Sequence, residues 1–160
     1  QRFESSWAYL NKDQQFMGTA LELAQQAAKD GEVPVGAIVV DSEGIIVGRG
    51  FDQRERLNDC TAHAEVLAIR QASERLNSWR LNGCTLYVTL EPCLMCMGAI
   101  LSSRIEWLVY GATSPKSGAV ESVLELARVP GLNHKVSVRS GVLKDECKEV
   151  LQSFFTQLRR

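Results

Sequence analysis

Two short motifs that lie far apart in this chain have to meet in space, and that requirement constrains the fold most. The first is His63-Ala64-Glu65, and the second is Pro92-Cys93-Leu94-Met95-Cys96. One imidazole and two thiolates supply three zinc ligands, and three protein ligands leave the fourth tetrahedral position open, which is typical of a catalytic zinc. Glu65 is not one of these ligands and is therefore available to transfer protons. We therefore expect the segments around His63 and Cys93 to pack against each other.

The spacing of the two cysteines favours a helix. Cys93 and Cys96 are three positions apart, so on a helix both sulfurs lie on one face. We predict that Pro92 opens this helix, because the N–H that proline lacks would have no intrahelical partner there. The free N–H groups and the dipole at a helix N-terminus favour the thiolate, the form that binds metal. Alone, such a pair could be a redox couple or two buried cysteines; the His-x-Glu motif favours metal.

His63 and Glu65 can share one pocket only under a geometric condition. On a regular helix, residues two apart point about 200° away from each other. His63 must therefore lie at the very start of a helix, which we expect Thr61 or Asp59 to cap. Zinc lowers the pKa of a bound water from about 15.7 toward about 7. Glu65 is then interpreted as general base and acid, although a solvated carboxylate or a helix-dipole partner would have the same sequence.

Cys60 permits a competing interpretation. Cys60-x-x-His63 together with Cys93-x-x-Cys96 would give four ligands at zinc-ribbon spacing, and four ligands form a closed structural site without room for water. Ribbon knuckles lie on tight glycine-containing turns, whereas these pairs precede helical patterns. Such a site would also leave Glu65 without a role. We therefore favour the three-ligand site.

Bulk properties point to one globular domain. The chain has 160 residues, of which 45% are hydrophobic and 23% charged, with a net charge of −1, values that are ordinary for one domain with its own core. A net charge so close to zero is weak evidence against a protein that binds long nucleic acid mainly through positive charge. We expect no membrane span and no signal peptide. The five cysteines are odd in number, which favours free thiols in a reducing compartment, either cytoplasm or plastid stroma.

The hydrophobic pattern predicts helices alternating with buried strands, hence an α/β sheet covered on both faces. The first two strands resemble a hairpin, which excludes a sheet built only from βαβ units. The predicted helices are 13–29, 62–76, 92–102, 120–126 and 144–158, and the predicted strands are 35–40, 45–51, 85–90, 105–110 and 136–138.

The zinc motif is the signature of zinc-dependent nucleobase deaminases in general. The residues that flank it point to one family among them. The chain resembles the tRNA-specific adenosine deaminases of bacteria and plastids, within the cytidine deaminase-like superfamily. The resemblance covers about 13–160. It is carried by residues 31–37, 61–65, 86–96, 103–105, 130–134 and 154–155.

The resemblance implies a three-layer α/β/α fold with a mixed five-stranded sheet, formed by residues 13–160 after an N-terminal extension of residues 1–12. It also implies a homodimer with one Zn²⁺ per subunit that converts adenosine to inosine at the wobble position of a tRNA anticodon, releasing ammonia. His63, Cys93 and Cys96 would bind zinc, and Glu65 would be catalytic. The residues expected near the base or the anticodon loop are Val33, Asp52, Ala62, Pro92, Ser114, His134 and Phe155.

Two positions depart from the family pattern. The family usually has Asn where this chain has Asp52, and an ionised Asp only accepts hydrogen bonds whereas Asn also donates. Ser114 stands where a family Asp that contacts RNA is common. These changes leave the zinc chemistry intact. They keep open a deaminase of a free base or nucleoside of the guanine or cytosine type, and a third possibility is a zinc-stabilised binding module without activity.

Overall fold

The computed structural model describes the backbone of residues 2–159 and the side chains of residues 12–159. No helix in this described part is long and apolar enough to cross a bilayer. In chain order the elements are α1 (Arg2–Lys29), β1 (Gly36–Val40), β2 (Ile46–Phe51), α2 (Arg54–Leu57), α3 (Ala64–Leu76), β3 (Thr85–Leu90), α4 (Leu94–Ser102), β4 (Trp107–Ala112), a 3-10 turn (Leu126–Arg128), β5 (Ser137–Ser140) and α5 (Lys144–Leu158).

The five strands form one mixed sheet in the order β2-β1-β3-β4-β5. β1 is antiparallel to both β2 and β3, and β3, β4 and β5 are mutually parallel. The predicted hairpin of β1 and β2 is confirmed. Its turn is closed by Asp41, whose carboxylate accepts hydrogen bonds from the N–H groups of Glu43 and Ile45, both at 2.9 Å. The predicted mixed five-stranded sheet is therefore confirmed.

Helices cover the sheet on both faces. Successive residues of a strand point to opposite faces, so Val39 joins one apolar cluster while Ile38 and Val40 join the other. The first cluster includes Ala68 of α3 and Ile100 of α4, and the second includes residues of α1 and α5. The result is the predicted three-layer α/β/α arrangement, in which α3 and α4 share a face.

Small residues let α3 lie unusually close to the sheet. A Cβ atom at Gly48 would stand 2.2 Å from the carbonyl oxygen of Ala68, and one at Gly50 would stand 2.3 Å from that of Ala64. The facing positions of α3 are alanines spaced four apart, Ala64, Ala68 and Ala72, all fully buried. Strand β2 therefore fixes how far the first turn of α3 lies from the sheet and where that turn lies along the strand.

Several predicted element boundaries were wrong. The third helix begins at Ala64 with His63 as its N-cap, not at a cap formed by Thr61 or Asp59. Asp59 instead accepts hydrogen bonds from the N–H and hydroxyl groups of Thr61. The fourth helix begins at Leu94 with Cys93 as its N-cap, so Pro92 precedes the helix instead of opening it.

Elsewhere the prediction missed or invented elements. The four-residue helix α2 was not predicted. The helix predicted over 120–126 is absent from that described segment, where the only regular turn nearby is the 3-10 turn. Strand β4 continues through Gly111 to Ala112. Helix α5 has the predicted ends. Because α1 runs from Arg2 through the predicted boundary between 1–12 and 13–160, the division into extension and domain stays a prediction.

We expect Gly48→Ala to destabilise the protein by about 1–3 kcal/mol, the range typical of overpacking, because the new methyl group would overlap the carbonyl oxygen of Ala68. Urea unfolding measures the change. The control is Gly98→Ala on α4, where a Cβ atom meets nothing within 4 Å and removal of a helical glycine stabilises by up to about 1 kcal/mol. Equal stability of the two variants would contradict the close packing of α3 on β2.

Candidate metal centre

Two of the three predicted ligands occupy helix N-cap positions. His63 caps α3 with φ −79° and ψ 154°, and Cys93 caps α4 with φ −78° and ψ 177°. Both backbones are extended, and neither side chain makes a capping hydrogen bond. The side chains are therefore free to turn toward a common point, which Cys96 reaches from the first turn of α4. The expectation that His63 lies at the very start of a helix is confirmed.

The distances between the ligand atoms suit a tetrahedral zinc ion. His63 Nδ1 lies 3.7 Å from Cys93 Sγ and 3.5 Å from Cys96 Sγ, and all three ligand atoms lie within 4.8 Å of one another. Zinc bonds of about 2.05 Å to nitrogen and about 2.3 Å to sulfur at a tetrahedral angle require a nitrogen–sulfur distance of about 3.6 Å. The residues present therefore fit the ion in both donor type and spacing.

The two thiols compete for ionisation. The pKa of Cys93 is lowered to about 3, chiefly because its sulfur accepts a hydrogen bond from Cys96 and also one from His63. The pKa of Cys96 is raised by that same hydrogen bond and by burial. The pKa of His63 is raised, first by its hydrogen bond to Cys93. A divalent cation removes this competition, because it deprotonates a coordinating thiol outright.

Glu65 lies beside the three ligands in the first turn of α3. It is 4% exposed, and burial raises its pKa to about 7. His63 stands in extended backbone just outside the helix, so the angular separation of a regular helix does not apply. Imidazole and carboxylate consequently line the same cavity.

Cys60 takes no part in this cluster. Its side chain is exposed, and the group of potential ligands found among the described residues contains only His63, Cys93 and Cys96. The described cysteines form no disulfide, since all five are free. The arrangement thus favours three protein ligands over the closed zinc-ribbon site.

A cavity of about 950 Å³ opens over the cluster. Four of the residues predicted to lie near the substrate line it: Val33, Asp52, Ser114 and Phe155. The other three lie outside its wall. Ala62 is buried and its carbonyl accepts the N–H of Gln53 at 3.0 Å, and the carbonyl of Pro92 accepts the N–H of Ala119 at 2.8 Å. A ring nitrogen of His134 lies 2.7 Å from the carbonyl oxygen of Ile105.

Asp52 is paired within the cavity wall. Its carboxylate is buried, and it accepts hydrogen bonds from the backbone N–H of Arg54 at 3.0 Å and from Nε of the same residue at 3.2 Å. The negative charge at this position is therefore balanced by an adjacent guanidinium. An Asp52 paired in this way would repel a nearby phosphate less than an unpaired carboxylate would.

The structure adds two buried carboxylates that sequence reasoning missed. Glu32 accepts the N–H groups of Glu55 and Arg56 at 3.0 and 2.9 Å, which holds α2 at one side of the cavity. Glu91 accepts several N–H groups of the segment after β4, which forms another side. Both residues belong to the segments that carry the family resemblance, but nothing in their spacing indicates which backbone they would bind.

Cationic side chains from separate parts of the chain also gather at the cavity. Four of them line it: Arg54, Lys116, Lys148 and Arg159. They come from α2, from the segment after β4, and from α5 and its C-cap. They do not form a continuous basic stretch in the sequence. The cavity mouth is therefore rich in positive charge on a chain whose net charge is −1.

Comparison with known proteins decides the family. The sequence profile of the MafB19-like deaminases matches residues 11–159. The tRNA-specific adenosine deaminase of Bacillus subtilis (strain 168) is 44% identical over 151 residues, which make up 94% of this chain and 93% of that protein. The chain belongs to the tRNA-specific adenosine deaminase family. Two solved structures place the family fold in a wider context.

The first comes from biochemical and structural studies of A-to-I editing by tRNA:A34 deaminases at the wobble position of transfer RNA. It superposes with a TM-score of 0.83 at 46% identity, covering 86% of this chain and 99% of that chain. The second, a guanine deaminase from Nitrosomonas europaea, superposes with a TM-score of 0.74 at 27% identity, covering 89% of this chain and 84% of that chain. The fold is therefore shared by deaminases of different substrates, and the higher identity lies with the tRNA deaminase.

We expect Cys93→Ser to lose zinc and to melt at a lower temperature, because metal binding is linked to folding. Metal content by mass spectrometry and thermal unfolding measure the two effects. Cys60→Ser is the matched control and should retain one zinc per chain. Loss of zinc by Cys60→Ser would contradict the three-ligand site and favour the closed one.

Proposed function

We propose that this protein is a zinc-dependent hydrolase that deaminates adenosine to inosine at the wobble position of tRNA. The observation that carries the proposal is the convergence of His63, Cys93 and Cys96 beside the buried Glu65, at the base of an open cavity. The family supplies the substrate, since its curated members are named tRNA-specific adenosine deaminases. One zinc ion per subunit, held by the three ligands, is part of the proposal.

Zinc at this position supplies a Lewis acid that makes water nucleophilic near neutral pH. The N-cap placement of His63 and Cys93 orients both ligands through the backbone, so few side-chain torsions remain to be fixed. Cys96, fully buried on α4, closes the inner side of the site against solvent. Three protein ligands leave a position for water.

Glu65 is proposed to hold and move the proton. Its carboxylate takes a proton from the attacking water and delivers it to the purine ring nitrogen next to the reacting carbon, while the water oxygen bonds to that carbon. It then takes the proton of the new hydroxyl group and passes it to the departing amino group. The bond from carbon to the amino nitrogen breaks and ammonia leaves. Burial favours the protonated form of Glu65, which makes its carboxylate a stronger base toward the proton of the attacking water.

The walls of the cavity are proposed to hold the extruded base. Val33 is the apolar surface against which the ring packs, and Phe155 offers an exposed aromatic face at the mouth. Asp52 is proposed to accept hydrogen bonds from the nucleoside, while Ala62 and Pro92, which lie outside the cavity wall, are proposed to support the region of the reacting carbon from behind. Ser114 and His134 are proposed as outer contacts. Because His134 lies outside the cavity wall, it would meet only a ligand that extends beyond a single base.

Charge at the mouth supports a polyanionic substrate. The cations are Arg54, Lys116, Lys148 and Arg159, while the carboxylates of Asp52 and Glu91 are buried and hydrogen-bonded. Lys and Arg side chains around a cavity contact phosphates and position a nucleic acid, leaving base contacts to specify it. The distribution of charge around the cavity therefore favours an anticodon loop as the substrate, although the net charge of the chain alone does not.

Two further parts of the proposal concern assembly and compartment. Exposed apolar side chains, among them Leu94 on α4 and Val123 and Leu124 in the segment after β4, support a homodimer. The free thiols support a reducing compartment, the cytoplasm or the plastid stroma.

A free base or nucleoside of the guanine or cytosine type is the second candidate substrate. The structural match to a guanine deaminase and the buried Asp52 favour it, because a carboxylate can accept hydrogen bonds from exocyclic amines or ring N–H groups. A zinc-stabilised binding module is a third candidate, and only the absence of turnover would favour it.

We expect Glu65→Gln to retain zinc and to lose activity by about 10²–10⁴-fold, the usual contribution of general acid–base catalysis. The amide matches the carboxylate in shape but cannot shuttle the proton. Ammonia release and metal content measured on the same preparation test this expectation. Full activity of the zinc-loaded variant would contradict the assigned role of Glu65.

A substrate panel separates the candidates. We expect inosine to form in a tRNA anticodon stem-loop, with little ammonia released from adenosine, guanine or cytosine, since only the stem-loop engages the cations at the cavity mouth. Raised salt should weaken the reaction with the stem-loop, because phosphate contacts release counterions. Turnover of guanine or cytosine alone would replace the first candidate by the second.

A further inference from the structure

The carboxylate of Glu91 sits at the centre of the cavity wall that follows β4. Its Oε1 accepts the N–H of Ser114 at 3.0 Å. Its Oε2 accepts the N–H groups of Val120, Glu121 and Ser122 at 3.1, 2.8 and 3.0 Å. The hydroxyl of Ser122 donates to Oε1 as well. One side chain therefore binds both ends of residues 114–122.

The surroundings of Glu91 leave no room for another arrangement. Its side chain is nearly inaccessible, with 2% of the residue exposed, and a Cβ atom at Gly118 would stand 2.3 Å from its carboxyl carbon. The neighbouring Pro92 carbonyl accepts the N–H of Ala119 at 2.8 Å. The segment is thus wrapped around the chain that immediately precedes the ligand Cys93.

We propose that Glu91 is a positioning residue that fixes residues 113–122 as a wall of the substrate cavity. Five residues of this segment line the cavity: Thr113, Ser114, Pro115, Lys116 and Ser117. Glu91 reaches them through the N–H of Ser114 and through the far end of the segment, and it takes no part in the reaction itself. The effect on substrate rests on the proposed function, whereas the effect on the segment does not.

A carboxylate suits this task for a simple reason. It only accepts hydrogen bonds, and its two oxygens offer about four lone-pair positions, which the four N–H groups and the hydroxyl of Ser122 fill by sharing. Hydrogen bonds to a charged acceptor are also stronger than those between neutral groups. An amide of the same shape would point two donors of its own at backbone donors, so Glu91→Gln should release part of the segment without leaving a hole.

The first experiment compares zinc-loaded Glu91→Gln with the unaltered protein. We expect amide hydrogen exchange in residues 113–122 to become about tenfold faster or more, as it does where local structure opens more easily. Zinc content should stay unchanged. With the anticodon stem-loop, KM should rise about tenfold while kcat changes far less, because the wall binds substrate and the proton transfer stays with Glu65. Glu43→Gln, an exposed carboxylate in the β1–β2 turn, is the control and should change none of these.

A second variant approaches the same contact from the other side. Gly118→Ala places a methyl group against the Glu91 carboxylate, so it should accelerate exchange in the same residues. Gly18→Ala on α1, where a Cβ atom meets nothing within 4 Å, is its control. The double variant Glu91→Gln/Gly118→Ala should be no worse than the stronger single variant, since both disrupt one contact.

The outcomes separate this proposal from the proposed function. Unchanged exchange in residues 113–122 for both variants would overturn the role of Glu91, and so would zinc loss by Glu91→Gln or a fall in kcat at constant KM. If Glu91→Gln fails to fold, Gly118→Ala decides. Faster exchange in that segment, in a protein that deaminates none of the substrates tested, would support Glu91 as a positioning residue and would contradict the proposed function.

Discussion

The N-termini of α3 and α4 meet over one end of the sheet, and the rest of the site follows from that meeting. Each helix has a potential zinc ligand at the position where Ser, Thr, Asp or Asn would ordinarily cap it, and the missing caps cost about 0.5–2 kcal/mol each. His63 and Cys93 make no cap hydrogen bond. In return, the positive ends of two helix dipoles point toward the place where thiolate charge gathers. The N-termini of α3 and α4 are therefore less stable than capped ones, but the side chains of His63 and Cys93 can face the potential metal site.

This arrangement depends on how tightly the helices are held from below. Glycines in β2 and alanines in α3 let the backbone of the helix rest on the strand, so the first turn of α3 has little freedom to slide. β3 leads directly into the Glu91–Cys93 segment and holds the other ligands in register with its neighbours β1 and β4. The sheet thereby serves as a rigid base that fixes ligands arriving from two separate parts of the chain.

What the sequence could predict follows from how local each interaction is. Helix α5 and the β1–β2 hairpin are set by periodicity and turn residues within their own spans, and both were predicted. The convergence of His63, Cys93 and Cys96 was predicted because residue type and spacing indicate it. The helix predicted over 120–126 does not form: Glu91, about thirty positions away, holds the N–H groups of Val120, Glu121 and Ser122, and the N–H groups of Val123 and Leu124 both turn back to the carbonyl of Gly118 instead of continuing a helical ladder. The predicted cap by Thr61 or Asp59 fails for a local reason, since Asp59 binds Thr61 itself and His63 takes the N-cap position. The first failure involves a contact across the fold, and the second involves neighbours in the sequence.

The connection from β4 to β5 also bears on how such a protein diversifies. Parallel strands need a crossover, usually a helix packed on the sheet, yet within the described chain this crossover contains only a 3-10 turn. Ala119, Val120 and Val136 of this connection belong to the core, whereas exposed positions such as Pro115, Lys116 and Ser117 can change without disturbing that core. Mutation at these positions can therefore change the cavity wall while the cluster of His63, Cys93 and Cys96 is left untouched.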